Sequence, residues 1–325
     1  MTYSAGFDIG GTNARLRLYD AHMSSVAEER RRIRDATSPQ QVVRTMVQML
    51  HDACSDTVDP QKVEAVGVGL AGQLSVDRRV VLNAPNLDWR DIAFCDLLEG
   101  ALREHFDLEE APVLRLVNDL NAQLWGESVS GAVTDHDDVL AVYVGTGIGG
   151  AILSEGRIVT GAGGNAGEIG HSKVVVGGRR CGCGESGCVE AYAGGIHLEQ
   201  QIALLAQQTG DAKFKDLVDE RGADLGRADD MAISHHDIGD IWEEATDYLA
   251  MVVANACTLL NPSALLIGGG VLENCHTFRA MFLQKAIPLV LKVSRDDLHV
   301  EQAIMADAGM LGAADLATRS ASETS

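Results

Sequence analysis

The chain has 325 residues, 46% of them hydrophobic and 22% charged, which is the balance of an ordinary globular protein long enough for two cores. Its 26 basic and 47 acidic residues leave a formal charge of −21, a field that repels nucleic acid and anionic membranes, so neither is an expected partner. No apolar run reaches the roughly 18 residues of a membrane span, and Phe7-Asp8-Ile9 follows the N-terminus without the regions of a signal peptide. A cytoplasmic protein is expected, and in that compartment its seven cysteines do not suggest disulfides.

Gly6 to Ile9 reads as a strand, Gly10 to Asn13 as a turn and Arg15 to Tyr19 as a returning strand with apolar residues at every second position. Glu28 to Arg34 is expected to pair as a third strand, with Arg30, Arg31 and Arg32 solvated. Ser38, Pro39 and Gln41 form the start signal of a helix that carries Val42, Val43, Met46, Val47 and Leu50 on one face. Val63 to Leu70 reads as a buried strand ending in Ala71-Gly72, Ile92 to His105 as a helix, and Val113 to Val117 as a strand ending at Asn118-Asp119. Near Asn121 the pattern begins again: an apolar strand at Val139 to Val144, a glycine-rich turn over Gly145 to Gly150, and a strand at Ala151 to Ser154. The repeat of strand, glycine turn and strand points to two related α/β domains. Ile241 to Leu260 reads as a helix stopped by Pro262, and Ala264 to Ile267 as a strand ending in Gly268-Gly269-Gly270. Residues from Thr318 onward are small and polar and are expected to form a frayed tail.

Three apolar strands thus end in glycine-rich turns, at Gly10-Gly11, Gly145 to Gly150 and Gly268 to Gly270. Glycine lets a backbone approach a ligand closely, and consecutive amides in such turns make concave anion sites. Thr12 and Thr146 each add a hydroxyl. The turns are not P-loops, because no Gly-Lys-Ser or Gly-Lys-Thr follows, and the first leads into a strand where a dinucleotide fingerprint would open a helix.

His171, Cys181, Cys183 and Cys188 place four borderline or soft ligands within 18 positions, which suits a tetrahedral zinc ion. Gly182, Gly184 and Gly187 let so short a loop fold back on itself. Four protein ligands leave no open position, so the zinc is expected to be structural. Cys54, Cys95, Cys257 and Cys275 are scattered and read as small buried apolar residues. Three acids stand beside these features: Asp119 after a buried strand, Glu168 three residues before His171, and Glu190 two after Cys188. Carboxylates so placed can accept hydrogen bonds from sugar hydroxyls, and one can take a proton.

Taken together, Asp8-Ile-Gly-Gly-Thr-Asn13, Asn118-Asp119, Gly145-Thr-Gly-Ile-Gly-Gly150, Glu168-Ile-Gly-His171, Cys181-Gly-Cys-Gly-Glu-Ser-Gly-Cys188 with Glu190, and Ile267-Gly-Gly-Gly-Val271 resemble the ROK family of repressors and kinases. The resemblance implies the actin-like (ribonuclease H-like) duplicated α/β fold of two-lobed, hexokinase-type sugar kinases. It implies a smaller lobe of residues 1–119 plus about 306–325 and a larger one of 120–305 carrying the zinc loop. By the same resemblance Asp8, Gly10, Gly11, Thr12 and Asn13 form the first phosphate segment, and Gly145, Thr146, Gly147, Gly149 and Gly150 the second. Gly268, Gly269 and Gly270 resemble the adenosine-side loop. Asp119 resembles the family's catalytic base, while Gly72, Asn118, Glu168, His171 and Glu190 join it as sugar ligands, His171 serving zinc and sugar with one ring nitrogen each. Ala71 before Gly72, Ser75, Gln123 and Leu124 depart from the common family pattern and bear on the choice of sugar.

The activity so implied is transfer of the γ-phosphate of ATP, as its Mg2+ complex, to the C6 hydroxyl of a hexose, with glucose the first choice. N-acetylglucosamine, N-acetylmannosamine, fructose, mannose and allose are the alternative acceptors, and polyphosphate an alternative donor. A sugar-responsive repressor is the reading from another class, disfavoured by the seven residues before Asp8 and by the net charge of −21. A homodimer or homotetramer is expected on the resemblance.

Overall fold

The computed structural model describes residues 1–33, 38–54, 58–219 and 222–323. They fall into two compact units. The first comprises Met1–Asp135, Ile158–Ala166 and Ile304–Ser325, and the second His136–Arg157 and Gly167–Ala303.

The first unit opens with β1 (Tyr3–Ile9), β2 (Asn13–Asp20) and β3 (Ser25–Arg32), paired antiparallel in succession. The third strand starts three residues before the expected Glu28 and ends at Arg32, and Arg34 lies outside the described residues. Its arginines are solvated, with Arg31 paired to Asp52. α1 (Pro39–Cys54) begins in the anticipated capping box: Gln41 N–H donates to Ser38 Oγ at 3.3 Å and Ser38 N–H to Gln41 Oε1 at 3.2 Å. β4 (Val63–Leu70) then runs parallel to β1. A small antiparallel sheet of β5 (Gln73–Leu74), β6 (Val81–Ala84) and β7 (Trp89–Ile92) follows. It takes Ile92, which the apolar period assigns to a helix, so α2 spans Phe94–Phe106. β8 (Val113–Asn118) pairs parallel with β4 and leads into α3 (Asp119–Ser130). The sheet order is β3-β2-β1-β4-β8.

The second unit repeats this plan. β9 (Val139–Val144), buried at every position, turns into the antiparallel β10 (Ile148–Ser154), which continues to β11 (Arg157–Ile158). α4 (Glu190–Ala193), α5 (Gly195–Thr209), α6 (Ala212–Lys215), the ribbon of β12 (Val218–Asp219) and β13 (Gly222–Ala223), α7 (Leu225–Met231) and the long α8 (His236–Leu260) come next. β14 (Ala264–Gly268) lies parallel to β9. After α9 (Gly270–Asn274), α10 (His276–Leu289) and α11 (Lys292–Arg295), β15 (His299–Gln302) lies parallel to β14. The order β11-β10-β9-β14-β15 has the same connectivity as the first sheet, so the molecule is a duplicated α/β fold.

The chain then returns to the first unit as α12 (Ala308–Glu323). The frayed tail expected from Thr318 is therefore wrong: Thr318 Oγ1 donates to Ala314 O at 2.9 Å and Ser320 Oγ to Leu316 O at 3.0 Å inside a helix. Small residues are what the seat of this helix requires. A Cβ on Gly6 or Gly67 would run into the carbonyl oxygens of Met310 and Ala313, and one on Gly312 into that of Ala122. Backbone lies directly on backbone there.

Two fully buried acids hold distant segments. Glu127 Oε1 accepts from the N–H groups of Ile304 and Met305 at 2.9 and 2.8 Å, and its Oε2 from Ala132 N–H at 2.8 Å. Asp229 accepts from Trp242 Nε1 and from the amides of Thr277 and Phe278, all within 2.8 Å, tying α7, α8 and α10 together.

Candidate functional site

The glycine turns stand at the carboxyl ends of β1, β9 and β14, where open α/β sheets place their ligands. In the first, Gly10 N–H donates to Asn13 O at 3.0 Å, and a Cβ on Gly11 would meet Asn86 O at 3.1 Å. Asp8, at the end of β1, accepts from Arg15 Nε at 3.0 Å across the hairpin, so its charge is met within the sheet. Gly72 is held close to β6: a Cβ there would lie 2.6 Å from Asn83 O.

The second turn is shorter than the glycine pattern suggests. Gly145 N–H donates to Gly147 O at 2.9 Å, and β10 has begun by Ile148. Gly149 and Gly150 pair opposite Tyr143 and Val142 in the ladder, so they shape the strand behind the turn. The first amides of α5 fix the turn from the other side, Gly195 N–H to Gly145 O at 2.8 Å and Ile196 N–H to Thr146 O at 3.0 Å. In the third turn Gly268 ends β14, Gly269 takes a φ of 89°, open to glycine without strain, and Gly270 starts α9. The second and third turns open on one cavity of about 520 Å3, whose walls include Gly145, Thr146, Gly195, Glu199, Gly270 and Asn274.

The ligand atoms of His171, Cys181, Cys183 and Cys188 all lie within 4.8 Å of one another. Cys183 Sγ and Cys188 Sγ are 3.8 Å apart, and Cys181 Sγ is 3.7 Å from His171 Nδ1. Zn–S bonds of about 2.3 Å and a Zn–N bond of about 2.1 Å at tetrahedral angles give edges of about 3.8 and 3.6 Å. The donor set therefore fits zinc in both chemistry and spacing. The loop is shaped for it: Cys181 N–H donates to Glu185 O at 2.9 Å, Gly184 N–H to Cys181 O at 3.1 Å, and Gly187 holds a φ of 81°. Burial, reinforced by the Glu190 carboxylate, pushes the Cys181 thiol up to about 12 in the absence of metal. Lys173 Nζ stands 3.0 Å from Cys188 Sγ, a cation beside the thiolates.

His171 turns its Nδ1 toward Cys181 and leaves Nε2 on the side of Glu168, 3.9 Å from Oε2. Glu168 is exposed and heads the short helical turn Ile169–His171. Glu190, the first residue of α4, reaches in two directions. Its Oε1 lies 3.3 Å from Cys181 Sγ, and its Oε2 accepts from Ile148 N–H at 3.0 Å, against Gly147, where a Cβ would collide with it. In the first unit Asn118 caps α3, its side-chain oxygen accepting from the amides of Leu120 and Asn121 at 3.1 and 3.2 Å. Asp119 follows as the first residue of that helix, half-buried.

The model of the ROK family matches residues 4–320. The chain belongs to the ROK family. A ROK glucokinase from Streptomyces griseus, solved with glucose and AMPPNP, shares 30% identity and superposes with a TM-score of 0.75, covering 98% of this chain and 99% of that one. The glucokinase of Halalkalibacterium halodurans is 30% identical over 326 residues, 94% of this chain and 92% of its own. The xylose repressor of Bacillus subtilis is 27% identical over 276 residues, 84% of this chain and 65% of that protein. The two five-stranded sheets are those of the ROK hexokinase architecture.

Of the residues that ROK resemblance singles out, the second unit brings Glu168, His171 and Glu190 together with the three cysteines and the Gly145 turn. Asn118 and Asp119 are adjacent in the first unit, at the junction of α3 with β8, the strand next to the one that leads to Gly72. Sequence reasoning passed over Gly195, Glu199 and Asn274. Gly194-Gly195 ahead of the helical period Leu198, Ile202, Leu205 was a readable signal for the first of these; Glu199 carries none.

Proposed function

We propose that this ROK protein is an ATP-dependent hexose kinase that phosphorylates the C6 hydroxyl, with glucose as its preferred acceptor. The observation that carries the reading is the double engagement of Glu190, which joins the cysteine loop through Cys181 and the second glycine turn through Ile148 N–H. A residue facing sugar hydroxyls and a turn suited to phosphates are thereby held in one rigid arrangement. The identity to named glucokinases supports the choice of sugar.

In this proposal the amides of the turns at Gly10–Asn13 and Gly145–Gly147 hold the phosphates of MgATP, and the turn at Gly268–Gly270 faces the nucleoside. Phosphoryl transfer has a loose transition state, so positioning and charge neutralisation dominate. Asn118, Glu168, His171 and Glu190 orient the sugar through its hydroxyls, with Gly72 contributing backbone. Asp119 orients the C6 hydroxyl and takes its proton as the new P–O bond forms, help that is typically worth about 10²–10⁴-fold. Zinc held by His171, Cys181, Cys183 and Cys188 supplies no reacting group. It pins the loop that bears Glu168, His171 and Glu190, and His171 Nε2 stays available while Nδ1 faces the metal.

The experiment is ADP formation by purified protein over a panel of hexoses, with Asp119→Asn in parallel. Turnover with glucose, reduced about 10²–10⁴-fold in the folded variant, is the expected result. Sugar-dependent binding with no ADP formed on any hexose would favour a repressor-like sugar sensor, the reading that the similarity to the xylose repressor suggests.

A further inference from the structure

The cavity between the second and third glycine turns holds a carboxylate that the kinase chemistry above does not use. Glu199 lies on α5 four residues after Gly195, hence on the same face and about one turn, roughly 6 Å, further along. Gly195 is the residue whose amide fixes the Gly145 turn. Glu199 therefore stands one helical turn beyond the phosphate end of the cavity. Its Oε2 rests against Gly222, where a Cβ would come within 2.6 Å. Among the described residues its side chain takes no hydrogen bond and no ion pair. Partial burial raises its pKa above the ordinary glutamate value, as expected of a carboxylate short of partners. The neighbouring Asp224 is already engaged, its Oδ1 accepting from Arg227 N–H at 3.0 Å as the cap of α7.

An acceptor-only group at that place selects what can lie beside it. A further phosphate is repelled, since two anions would share a half-buried wall. A vicinal diol is welcome, because both of its hydroxyls can donate to one carboxylate. We infer that Glu199 is the ribose-binding residue of the nucleotide pocket, so that the phosphoryl donor is a ribonucleoside triphosphate in preference to its 2′-deoxy form or to polyphosphate. The inference rests on the kinase reading above in taking a phosphoryl donor to occupy this cavity.

Equilibrium titration in the absence of sugar tests it, with MgATP, Mg-2′-deoxy-ATP and tripolyphosphate added to the parent, Glu199→Gln and Glu199→Ala. Hydrogen bonds to a charged acceptor predict that the parent binds ATP about tenfold to a hundredfold more tightly than 2′-deoxy-ATP. Glu199→Ala should lose that preference by weakening ATP more than 2′-deoxy-ATP, which has only its 3′-hydroxyl bond to lose, and the isosteric Glu199→Gln should fall between. Equal binding of both nucleotides by the parent, equal weakening of both in Glu199→Ala, or tripolyphosphate binding as tightly as ATP would overturn it. Ribose discrimination in a protein that phosphorylates no hexose would retain this inference and remove the kinase reading. Hexose phosphorylation without ribose discrimination would do the reverse.

Discussion

Lys173 illustrates how much of a metal site lies outside its ligands. Three thiolates and a neutral imidazole leave a zinc centre with a net charge of −1, and the Lys173 ammonium, 3.0 Å from Cys188 Sγ, offsets it. Lys173→Met is expected to weaken zinc about tenfold or more, read by competition with a chromophoric chelator. Unchanged affinity would show that the lysine is merely a neighbour. Gly147 makes a second residue-scale case. Gly147→Ala places a methyl against Glu190 Oε2, and a displaced positioning group can lower kcat/KM for the hexose up to about 10²-fold. The check is a kinetic comparison of kcat/KM for the hexose in the folded variant and the parent. The four zinc ligands were legible in sequence because soft ligands so close together have few other uses. Lys173 and the Glu190–Ile148 bond were not, because both depend on how a loop returns on itself.

At the scale of elements, α12 shows why composition misleads. The small polar residues from Thr318 onward read as a tail, yet they continue a helix in which Ala313, Ala314 and Ala317 are fully buried. The smallness of these alanines, facing glycine, lets the helix rest directly on Gly6 and Gly67 of the first sheet. Gly67→Val should therefore overpack this seat and cost on the order of 1–3 kcal/mol, visible as a lower midpoint in urea. Glu127 acts nearby as a clasp. Glu127→Leu removes the acceptor for three part-buried amides and is expected to cost about 3 kcal/mol, measured in the same titration. Strands with alternating or wholly apolar patterns, such as β2 and β9, were readable along the chain. The short β5–β7 sheet was not, since runs of two to four residues carry no period.

For the whole molecule, the repeated strand, glycine turn and strand announced the duplication, and the two matching sheet orders bear it out. Between β10 and β14 the second repeat carries a series of helices where the first carries α1, so the walls of the cavity beside the second and third turns could not be inferred from the pattern. The proposed zinc site has a consequence at this scale too. Chelation is expected to abolish hexose phosphorylation and lower the melting temperature, with both restored by added zinc; a fully active protein free of zinc by elemental analysis would contradict the role assigned to the loop.

The return of α12 also orders events during synthesis. β8 ends at Asn118, yet the helix that covers Gly6 and Gly67 ends at Glu323, some 200 residues later. At about 5–20 residues per second the ribosome needs roughly 10–40 s for that stretch. Throughout it the first sheet must wait with its glycine-lined face uncovered. The second unit, complete by Ala303, has every one of its residues available sooner. The half of the protein that is made first is the half that finishes last, and the interval in which a chaperone has most to shield opens about a third of the way along the 325 residues and closes only when α12 emerges.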